Sequence, residues 1–385
     1  MENIYNTIAY LCSLAISTCS EDFFVRYSCI SQDEKQKIDS YIKDKIPSLF
    51  FNGKIRQLKE DDVPDKLFSE IKACLDEKTS ENDYFTIVKI IQFLDCALEK
   101  DLQKKIKDFQ DDDFSVVLNS NRETTGIGLL PRCSCAWERK HRLSHSYNRM
   151  DNFLFNMLLM ENSILGDLID KHFFLKPQLF PGFNKTKSLK IAATPLTLER
   201  NFSILPYSQD KVQYFKINYF EKNFEKSNEL VWKKIITAGK KNTDIIVFPE
   251  MLGNSQICSY IQQKIQELPD DDKTKIPSLI ILPSFWDNKR NTVTILDKTG
   301  KIICKQSKQN PFRAEQNGSG YLEGILSSLV VNIFHYEGIG RIAILICKDF
   351  LTTKYMEQLM RCFKLTLIIV PSFSTGSYDF RQSFD

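Results

Sequence analysis

The stretch RIAILICKDF (Arg341–Phe350) begins with a continuous apolar run and ends in charged residues. Continuous apolar runs bounded by turn residues are typical of strands that are buried on both faces of a sheet. Similar runs recur in the second half of the chain and alternate with helical segments such as Asn228–Gly239. The other predicted strands are Leu189–Leu196, Asp244–Glu250, Ser278–Phe285, Asn291–Asp297, Leu329–Tyr336 and Leu365–Ser372. The second half is therefore predicted to be an α/β domain whose sheet is covered on both faces.

The first half of the chain is predicted to be mainly helical. Apolar residues recur at three- and four-residue steps within Ser80–Gln110, with Ser80 as the N-cap, and within Tyr147–Phe174, which is the helical period. A cluster of helix-breaking residues then precedes the first predicted strand of the α/β half: Pro177, Pro181 and Gly182. We therefore predict two domains, a helical accessory domain of unknown role at residues 1–185 and an α/β domain at residues 186–385.

The overall composition excludes several classes of protein. The chain has 385 residues, of which 42% are hydrophobic and 26% are charged, as is ordinary for a globular protein. Its 52 Lys and Arg residues against 49 Asp and Glu residues leave a net charge of +3, too balanced for a nucleic-acid coat or a polybasic membrane surface. The 11 cysteines are odd in number and scattered, which favours reduced thiols. The apolar N-terminal segment lacks a basic flank. We predict a cytoplasmic protein that binds neither membrane nor nucleic acid.

Three polar residues end or follow predicted strands of the α/β half: Glu250, Lys308 and Cys347. In open α/β sheets such positions converge, because side chains leave the core at the carboxyl ends of the strands. A thiol with a reference pKa of about 8.5 is mostly protonated at neutral pH and needs a base or a nearby cation to react. No histidine adjoins Cys347. Glu250 is therefore the candidate base, and Lys308 is the candidate cation that would also stabilise an oxyanion.

The order and context of these residues resemble the nitrilase, or carbon–nitrogen hydrolase, superfamily, whose catalytic residues are Glu, Lys and Cys. Glu250 lies in a Phe-Pro-Glu setting and Cys347 lies in an Ile-Cys-x-Asp setting, as in that family. The family's lysine follows a hairpin pattern that is matched here by Asn291, Thr292, Asp297, Gly300, Lys301, Ile302, Lys305 and Lys308. Pro371 and Ser372 match the Pro-Ser that often ends the family's next strand. The resemblance covers about residues 188–385.

The resemblance implies a fold and a reaction. The fold is the four-layer αββα sandwich of the nitrilase family. The reaction is hydrolysis of a non-peptide amide or nitrile, in which Cys347 forms a thioester, Glu250 moves protons, and Lys308 and the backbone N–H of Lys348 hold the oxyanion. No cofactor and no metal are implied. The expected partners are a small-molecule substrate and further copies of the chain.

Four points of the resemblance stay open. The family's second carboxylate falls some residues after the lysine, and Glu315 is its best-spaced match, with Glu323 as the alternative. Lys305 competes with Lys308 for the role of the cation. Residue 348 is a lysine where the family commonly carries an aromatic or small residue. The sequence ends at Asp385, and family domains continue further, so we expect a partial domain that lacks its C-terminal part.

Other functions remain as alternatives. A nitrilase-like domain without activity could serve as an oligomerisation or sensing module of a multidomain protein, including one of the defence type. A metal site is a weaker alternative, because two thiols and two imidazoles lie within thirteen residues but lack the usual zinc-finger spacing: Cys133, Cys135, His141 and His145. The Phe-Gln-Asp-Asp sequence at residues 109–112 superficially resembles a polymerase turn, but no upstream metal-binding motif accompanies it.

Overall fold

The computed structural model describes residues 3–77, 84–112, 114–137, 148–196, 202–316, 318–373 and 380. The chain divides into two compact units. The first consists of Met1–Gly166 with Glu337–Gly340 and Arg361–Lys364, and the second consists of Asp167–Tyr336, Arg341–Met360 and Leu365–Asp385. The division after Gly166 precedes the boundary expected near residue 185, because residues 169–174 form a strand of a sheet in the second unit.

The first unit contains eight of the described helices and two pairs of strands. The helices are α1 (Ile4–Thr18), α2 (Glu21–Cys29), α3 (Gln32–Lys45), α4 (Asp65–Asp76), α5 (Tyr84–Ala97), α6 (Glu99–Phe109), α7 (Arg122–Thr125) and α8 (Asn162–Leu165). The strands are β1 (Phe50–Phe51), β2 (Lys54–Ile55), β3 (Ile127–Pro131) and β4 (Met157–Glu161), with β1 antiparallel to β2 and β3 antiparallel to β4.

Helix α1 is at the centre of the core of the first unit. Asn3 caps it by accepting the backbone N–H groups of Tyr5 and Asn6 at 2.8 and 3.2 Å. Its residues Ile4 and Ile8 are fully buried and the helix packs against α5. A stripe of apolar residues at helical spacing therefore places α1 inside a core rather than at a surface.

Two sequence predictions for this unit need correction. The segment Ser80–Gln110 forms two helices, α5 and α6, instead of one, and Ser80, the predicted N-cap, lies outside the described residues. The segment Tyr147–Phe174 is not one helix: it contains β4, the short α8 and a strand at residues 169–174. The buried Asp95 carboxylate accepts the N–H groups of Phe155 and Met157 at 2.8 and 2.9 Å and so fixes the turn that starts β4. A short apolar run suits either a helix or a strand, and pairing with β3 decides for the strand.

The second unit is mixed α/β and begins at β5 (Ile169–Phe174). Its helices are α9 (Pro181–Thr186), α10 (Phe224–Lys240), α11 (Ile257–Gln266), α12 (Asp270–Lys273) and α13 (Thr353–Phe363), the last of which runs into the Arg361–Lys364 segment of the first unit. Its other strands are β6 (Ile191–Ala193), β7 (Phe202–Gln209), β8 (Val212–Tyr219), β9 (Ile245–Val247), β10 (Leu279–Ile281), β11 (Phe285–Asp287), β12 (Arg290–Asp297), β13 (Ile302–Ser307), β14 (Arg313–Gln316), β15 (Ser319–Glu323), β16 (Val330–Tyr336), β17 (Gly340–Ile344) and β18 (Leu367–Ile369). The predicted α/β class is confirmed at this level.

Three sheets organise the second unit. The first has the order β11-β12-β10-β9-β6, with β13 also paired to β12. Strands β6, β9 and β10 are parallel neighbours, and β10 to β13 continue as antiparallel neighbours. The second sheet has the order β18-β17-β16-β5, and the third has the order β14-β15-β8-β7. The residues expected to be an insertion between Leu196 and Phe215 form the β7–β8 hairpin in their described part.

Packing within the second unit follows from the apolar runs of these strands. Val231 of α10 and Ile261 of α11 are fully buried in one cluster with Ile246 of β9 and Ile280 of β10, so these helices cover one face of the first sheet. Strand β13 meets the second sheet through side chains: Gln306 donates from Nε2 to the Val330 carbonyl at 3.1 Å. The strand ends that carry the candidate residues are thereby held between packed layers.

No single described helix is long and apolar enough to cross a membrane. Helices α1 and α2 pass a length-and-composition test only together, as a pair bent by 107°.

Candidate active site

The candidate site is built on loops that follow three strands of the second unit. Glu250 follows β9, Lys308 comes directly after β13, and Cys347 follows β17. The turn after Glu250 is held by Ser284, whose hydroxyl accepts the N–H of Met251 at 2.9 Å and whose carbonyl accepts the N–H of Gly253 at 3.0 Å. Strands β9 and β10 are parallel neighbours, so the loops that follow them lie side by side. The two hydrogen bonds between these loops fix the position of Glu250 at the end of the sheet.

The Lys308 ammonium lies between two carboxylates. Its Nζ donates to Glu250 Oε1 at 2.8 Å and to Glu323 Oε2 at 2.7 Å, and the Lys308 and Glu323 side chains have no exposed surface. Asn291 donates from Nδ2 to the same Glu250 oxygen at 2.8 Å. The Phe312 N–H donates to Glu323 Oε2 at 2.9 Å. A buried ammonium with two carboxylate partners is thus held in a single place and direction.

The electrostatics of this group favour a charged lysine. Burial alone would lower the pKa of the Lys308 ammonium, but Glu250 and Glu323 hold that pKa above its ordinary value. Burial raises the pKa of Glu323, which Lys308 opposes. Lys308 therefore stays protonated and supplies a fixed positive charge at the site.

The two lysines and the two carboxylates that the sequence left open lie in different surroundings in the structure. Side chains alternate between the two faces of a strand. Toward the end of β13 every second residue is buried, and Lys308 continues that buried face, whereas Lys305 lies on the exposed face. Glu315 was the expected second carboxylate, but it lies on β14 with a 76% exposed side chain near Arg313. Glu323, the alternative, ends β15 and contacts Lys308. The structure therefore places Glu323, rather than Glu315, next to Lys308, because the β14–β15 hairpin turns Glu315 outward.

Cys347 occupies a sharp turn between a strand and a helical turn. Its φ of +47° lies in the left-handed region, which is uncommon for residues other than glycine and is often found at functional sites. A 3-10 turn, Cys347–Asp349, follows at once. The Cys347 N–H donates to the Pro371 carbonyl at 3.0 Å, so the loop after β18 holds the turn in place. The side chain is buried, with 6% of the residue exposed.

The thiol of Cys347 lies near the Glu250 carboxylate. Burial raises the pKa of the thiol, and Glu250 raises it further, whereas Lys308 and the Phe373 N–H lower it. The Phe373 N–H also donates to Glu250 Oε2 at 3.4 Å. The resting site therefore holds a neutral thiol near a carboxylate that can accept its proton, and the Lys308 ammonium is hydrogen-bonded to that carboxylate.

Asp349 joins the loop of the lysine to the turn of the cysteine. Its carboxylate accepts the backbone N–H groups of Gln309 and Asn310 at 3.0 and 2.7 Å, and that of Ile346 at 3.3 Å. Burial raises its pKa to about 6, although these hydrogen bonds oppose the shift. The sequence pattern contained Asp349 and Asn291 but assigned neither of them a function. The structure shows that Asn291 contacts Glu250 and that Asp349 binds the backbone next to Lys308 and Cys347.

A metal site finds no support in the described residues. No group of three His, Cys, Asp or Glu side chains in the described ranges is arranged to hold a metal ion. Of the residues considered for such a site, Cys133 is buried and Cys135 is exposed, while His141 and His145 lie outside the described residues.

Comparisons with known proteins give structural similarity only. No family model matches the sequence, and no curated protein matches it. About 40% of the chain is similar in structure to amidases of the nitrilase superfamily and to NitFhit. An amidase from Nesterenkonia sp. is 15% identical with a TM-score of 0.27, over 40% of this chain and 60% of the amidase.

Two further solved structures show the same level of similarity. A mutant of the amidase from Nesterenkonia sp. AN1, which carries acrylamide added at its active-site cysteine, is 14% identical with a TM-score of 0.26, over 39% of this chain and 63% of that chain. The C. elegans NitFhit protein is 20% identical with a TM-score of 0.27, over 39% of this chain and 40% of that chain. The chain spans about 60% of the length of the Nesterenkonia amidases.

We predict that Lys308→Met slows the alkylation of Cys347 by iodoacetamide, an uncharged reagent. Loss of a nearby cation raises a thiol pKa by roughly 1–3 units, and each unit lowers the thiolate fraction about tenfold at a fixed pH. The rate constant at pH 8.5, followed by mass spectrometry of the Cys347 peptide, should fall at least tenfold. Lys305→Met, the matched control, should leave it unchanged. The double variant Lys308→Met/Glu323→Gln removes one negative charge together with the positive charge, and it should be as slow as Lys308→Met. An equal rate in wild type and all three variants would contradict the placement of Lys308 beside the thiol.

A second prediction concerns the pH dependence of stability. The folded pKa of Asp349 is about 6 against an ordinary value of 3.8, so the folded state binds more protons than the unfolded state between these values. The stability that the protonated carboxyl contributes is present below pH 4 and is lost as the pH rises through 6. Relative to wild type, Asp349→Asn should therefore gain up to about 3 kcal/mol between pH 4 and pH 7. Urea unfolding at each pH measures this difference, and a difference that does not vary with pH would contradict the buried-carboxylate account.

Proposed function

We propose that this chain carries a thiol-dependent hydrolase of a non-peptide carbon–nitrogen bond, with an amide or a nitrile as substrate. One observation supports it most: the Glu250 carboxylate accepts a hydrogen bond from the buried Lys308 ammonium at 2.8 Å and lies near the Cys347 thiol, whose pKa it raises. A nucleophile, a base and a fixed cation thus lie together, which is the arrangement that acyl transfer through a thioester needs.

Acylation begins with the neutral thiol. Cys347 gives its proton to Glu250 as Sγ bonds to the carbonyl carbon of the amide, and the carbonyl electrons move to oxygen. Lys308 Nζ and the Lys348 N–H would hold that oxyanion. Lys348 lies in the 3-10 turn, whose first internal hydrogen bonds come from Asp349 and Phe350, so its own N–H is free of them. The carbon–nitrogen bond then breaks, the proton passes from Glu250 to the leaving nitrogen, and a thioester remains.

Deacylation reverses these roles. Glu250 takes a proton from water as the water oxygen bonds to the thioester carbon, and the same donors hold the second oxyanion. The carbon–sulfur bond breaks, the thiolate regains its proton from Glu250, and a carboxylic acid leaves. A raised thiol pKa makes a local base necessary in the first half of this cycle.

The buried ion cluster itself supports a catalytic role. Burial of one ammonium and two carboxylates has a desolvation cost that such clusters often fail to recover, and packed apolar residues in their place are frequently as stable or more stable. Ionisable groups with shifted pKa values at strand ends are instead typical of functional sites. Glu323 is assigned the role of a positioning residue: it holds the Lys308 ammonium while Glu250 exchanges protons.

We predict that ammonia release from a panel of primary amides separates Glu323 from Glu315. Cys347→Ala should abolish the release, and Glu323→Gln should lower kcat by up to about 10²–10³, because a displaced Lys308 ammonium acts like a lost oxyanion donor. Glu315→Gln, an exposed control in the same hairpin, should match wild type. Release that persists in Cys347→Ala would contradict the mechanism, and absence of release in wild type would favour the inactive oligomerisation or sensing module.

A further inference from the structure

Three side chains form a row across neighbouring strands next to the candidate site. Trp286 of β11 is directly opposite Asn291 of β12. The register Thr292 opposite Ser307 continues to Asn291 and Lys308, whose N–H donates to the Asn291 carbonyl at 2.8 Å. Residues that are directly opposite on antiparallel strands point to the same face of the sheet. Trp286, Asn291 and Lys308 therefore project from one face.

That face is the face of the candidate site. Asn291 Nδ2 and Lys308 Nζ both donate to Glu250 Oε1 at 2.8 Å. Neighbouring strands are about 4.8 Å apart, so the Trp286 side chain lies about one strand spacing beyond Asn291, on the side away from Lys308. The Trp286 backbone is fixed there, because its N–H donates to the Tyr219 hydroxyl at 3.0 Å.

Two polar atoms of this row are buried without a hydrogen-bond partner among the described residues: Trp286 Nε1 and Asn291 Oδ1. Trp286 is 8% exposed and Asn291 is fully buried. The orientation of the Asn291 amide follows from its Nδ2 contact with Glu250, which leaves the oxygen as the unused atom. A buried donor or acceptor without a partner is costly and rare in native proteins, and here one of each lies on neighbouring strands beside the reacting groups.

We propose that Trp286 Nε1 and Asn291 Oδ1 form a subsite for a second carboxamide group on the acyl part of the substrate; this rests on the proposed function. The indole N–H donates to the carbonyl oxygen of that group, and Asn291 accepts one of its N–H hydrogens. The group is neutral, because a carboxylate there would face Glu250 and Glu323 while the Lys308 ammonium already contacts both. The substrate class is therefore a diamide or a similar amide with a neutral donor–acceptor substituent.

Two small amides of equal heavy-atom number test this subsite. Malonamide carries a second carboxamide where isovaleramide carries an isopropyl group. Their dissociation constants for the Cys347→Ala protein, which cannot turn them over, are measured by calorimetry. Malonamide should bind about tenfold more tightly than isovaleramide. Adding Trp286→Phe should weaken the binding of malonamide alone by about tenfold, as loss of one buried hydrogen bond does, and so remove the preference. Trp232→Phe is the matched control and should change neither value.

A second measurement covers the case in which Trp286→Phe fails to fold. In a chain with Trp137→Phe and Trp232→Phe, Trp286 is the one remaining tryptophan, and malonamide should shift its emission to longer wavelength while isovaleramide should not. Equal affinities for the two amides, equal weakening of both by Trp286→Phe, or no binding would overturn the subsite. If wild type releases ammonia but shows no preference for malonamide, the subsite is rejected and the proposed hydrolysis stands. If a preference that depends on Trp286 is found without ammonia release, the subsite is supported and the proposed hydrolysis is rejected.

Discussion

The buried ammonium of Lys308 determines where three loops of the second unit meet. Glu250 follows β9, Lys308 follows β13 and Glu323 ends β15, and each contact measures 2.8 Å or less. Removal of one partner leaves a buried charge uncompensated, which costs about 3–5 kcal/mol, whereas apolar replacement of the whole group is often harmless. The proposed function therefore explains the cluster by the chemistry of a fixed positive charge rather than by stability.

Two carboxylates, those of Asp349 and Glu250, hold the cysteine close to the Lys308 ammonium. Asp349 binds backbone N–H groups, and Glu250 lies near the thiol. Asp349 binds the amides of Gln309 and Asn310, directly after Lys308, while it also accepts the Ile346 N–H just before Cys347. Glu250 accepts a hydrogen bond from the ammonium at 2.8 Å and lies near the thiol. The distance between Cys347 and Lys308 thus depends on the loops that carry them, which are connected through the carboxylates of Asp349 and Glu250. In the proposed site, these contacts hold together groups at the ends of strands from different sheets.

Much of the second unit was predictable, because its strands are long apolar runs that end in polar residues. The order of Glu250, Lys308 and Cys347 followed from that pattern, and the period of two in β13 separates Lys308 from Lys305. The choice of Glu323 over Glu315 was not predictable from spacing, because pairing of β15 with β8 decides which face of the hairpin is buried. Met157–Glu161 was mistaken for helix because an apolar pentapeptide fits both periods until its partner strand is known. The Trp286–Asn291 pair likewise depends on register.

Formation of a thioester on Cys347 tests the central claim most directly. Wild-type protein is mixed with a primary amide that it turns over, quenched in acid within the first turnover, and digested for peptide mass spectrometry. The account predicts the acyl group of that amide on the Cys347 peptide, and its removal by neutral hydroxylamine, which cleaves thioesters. Ammonia release with no acyl group on Cys347, or with the acyl group on another cysteine, would contradict it.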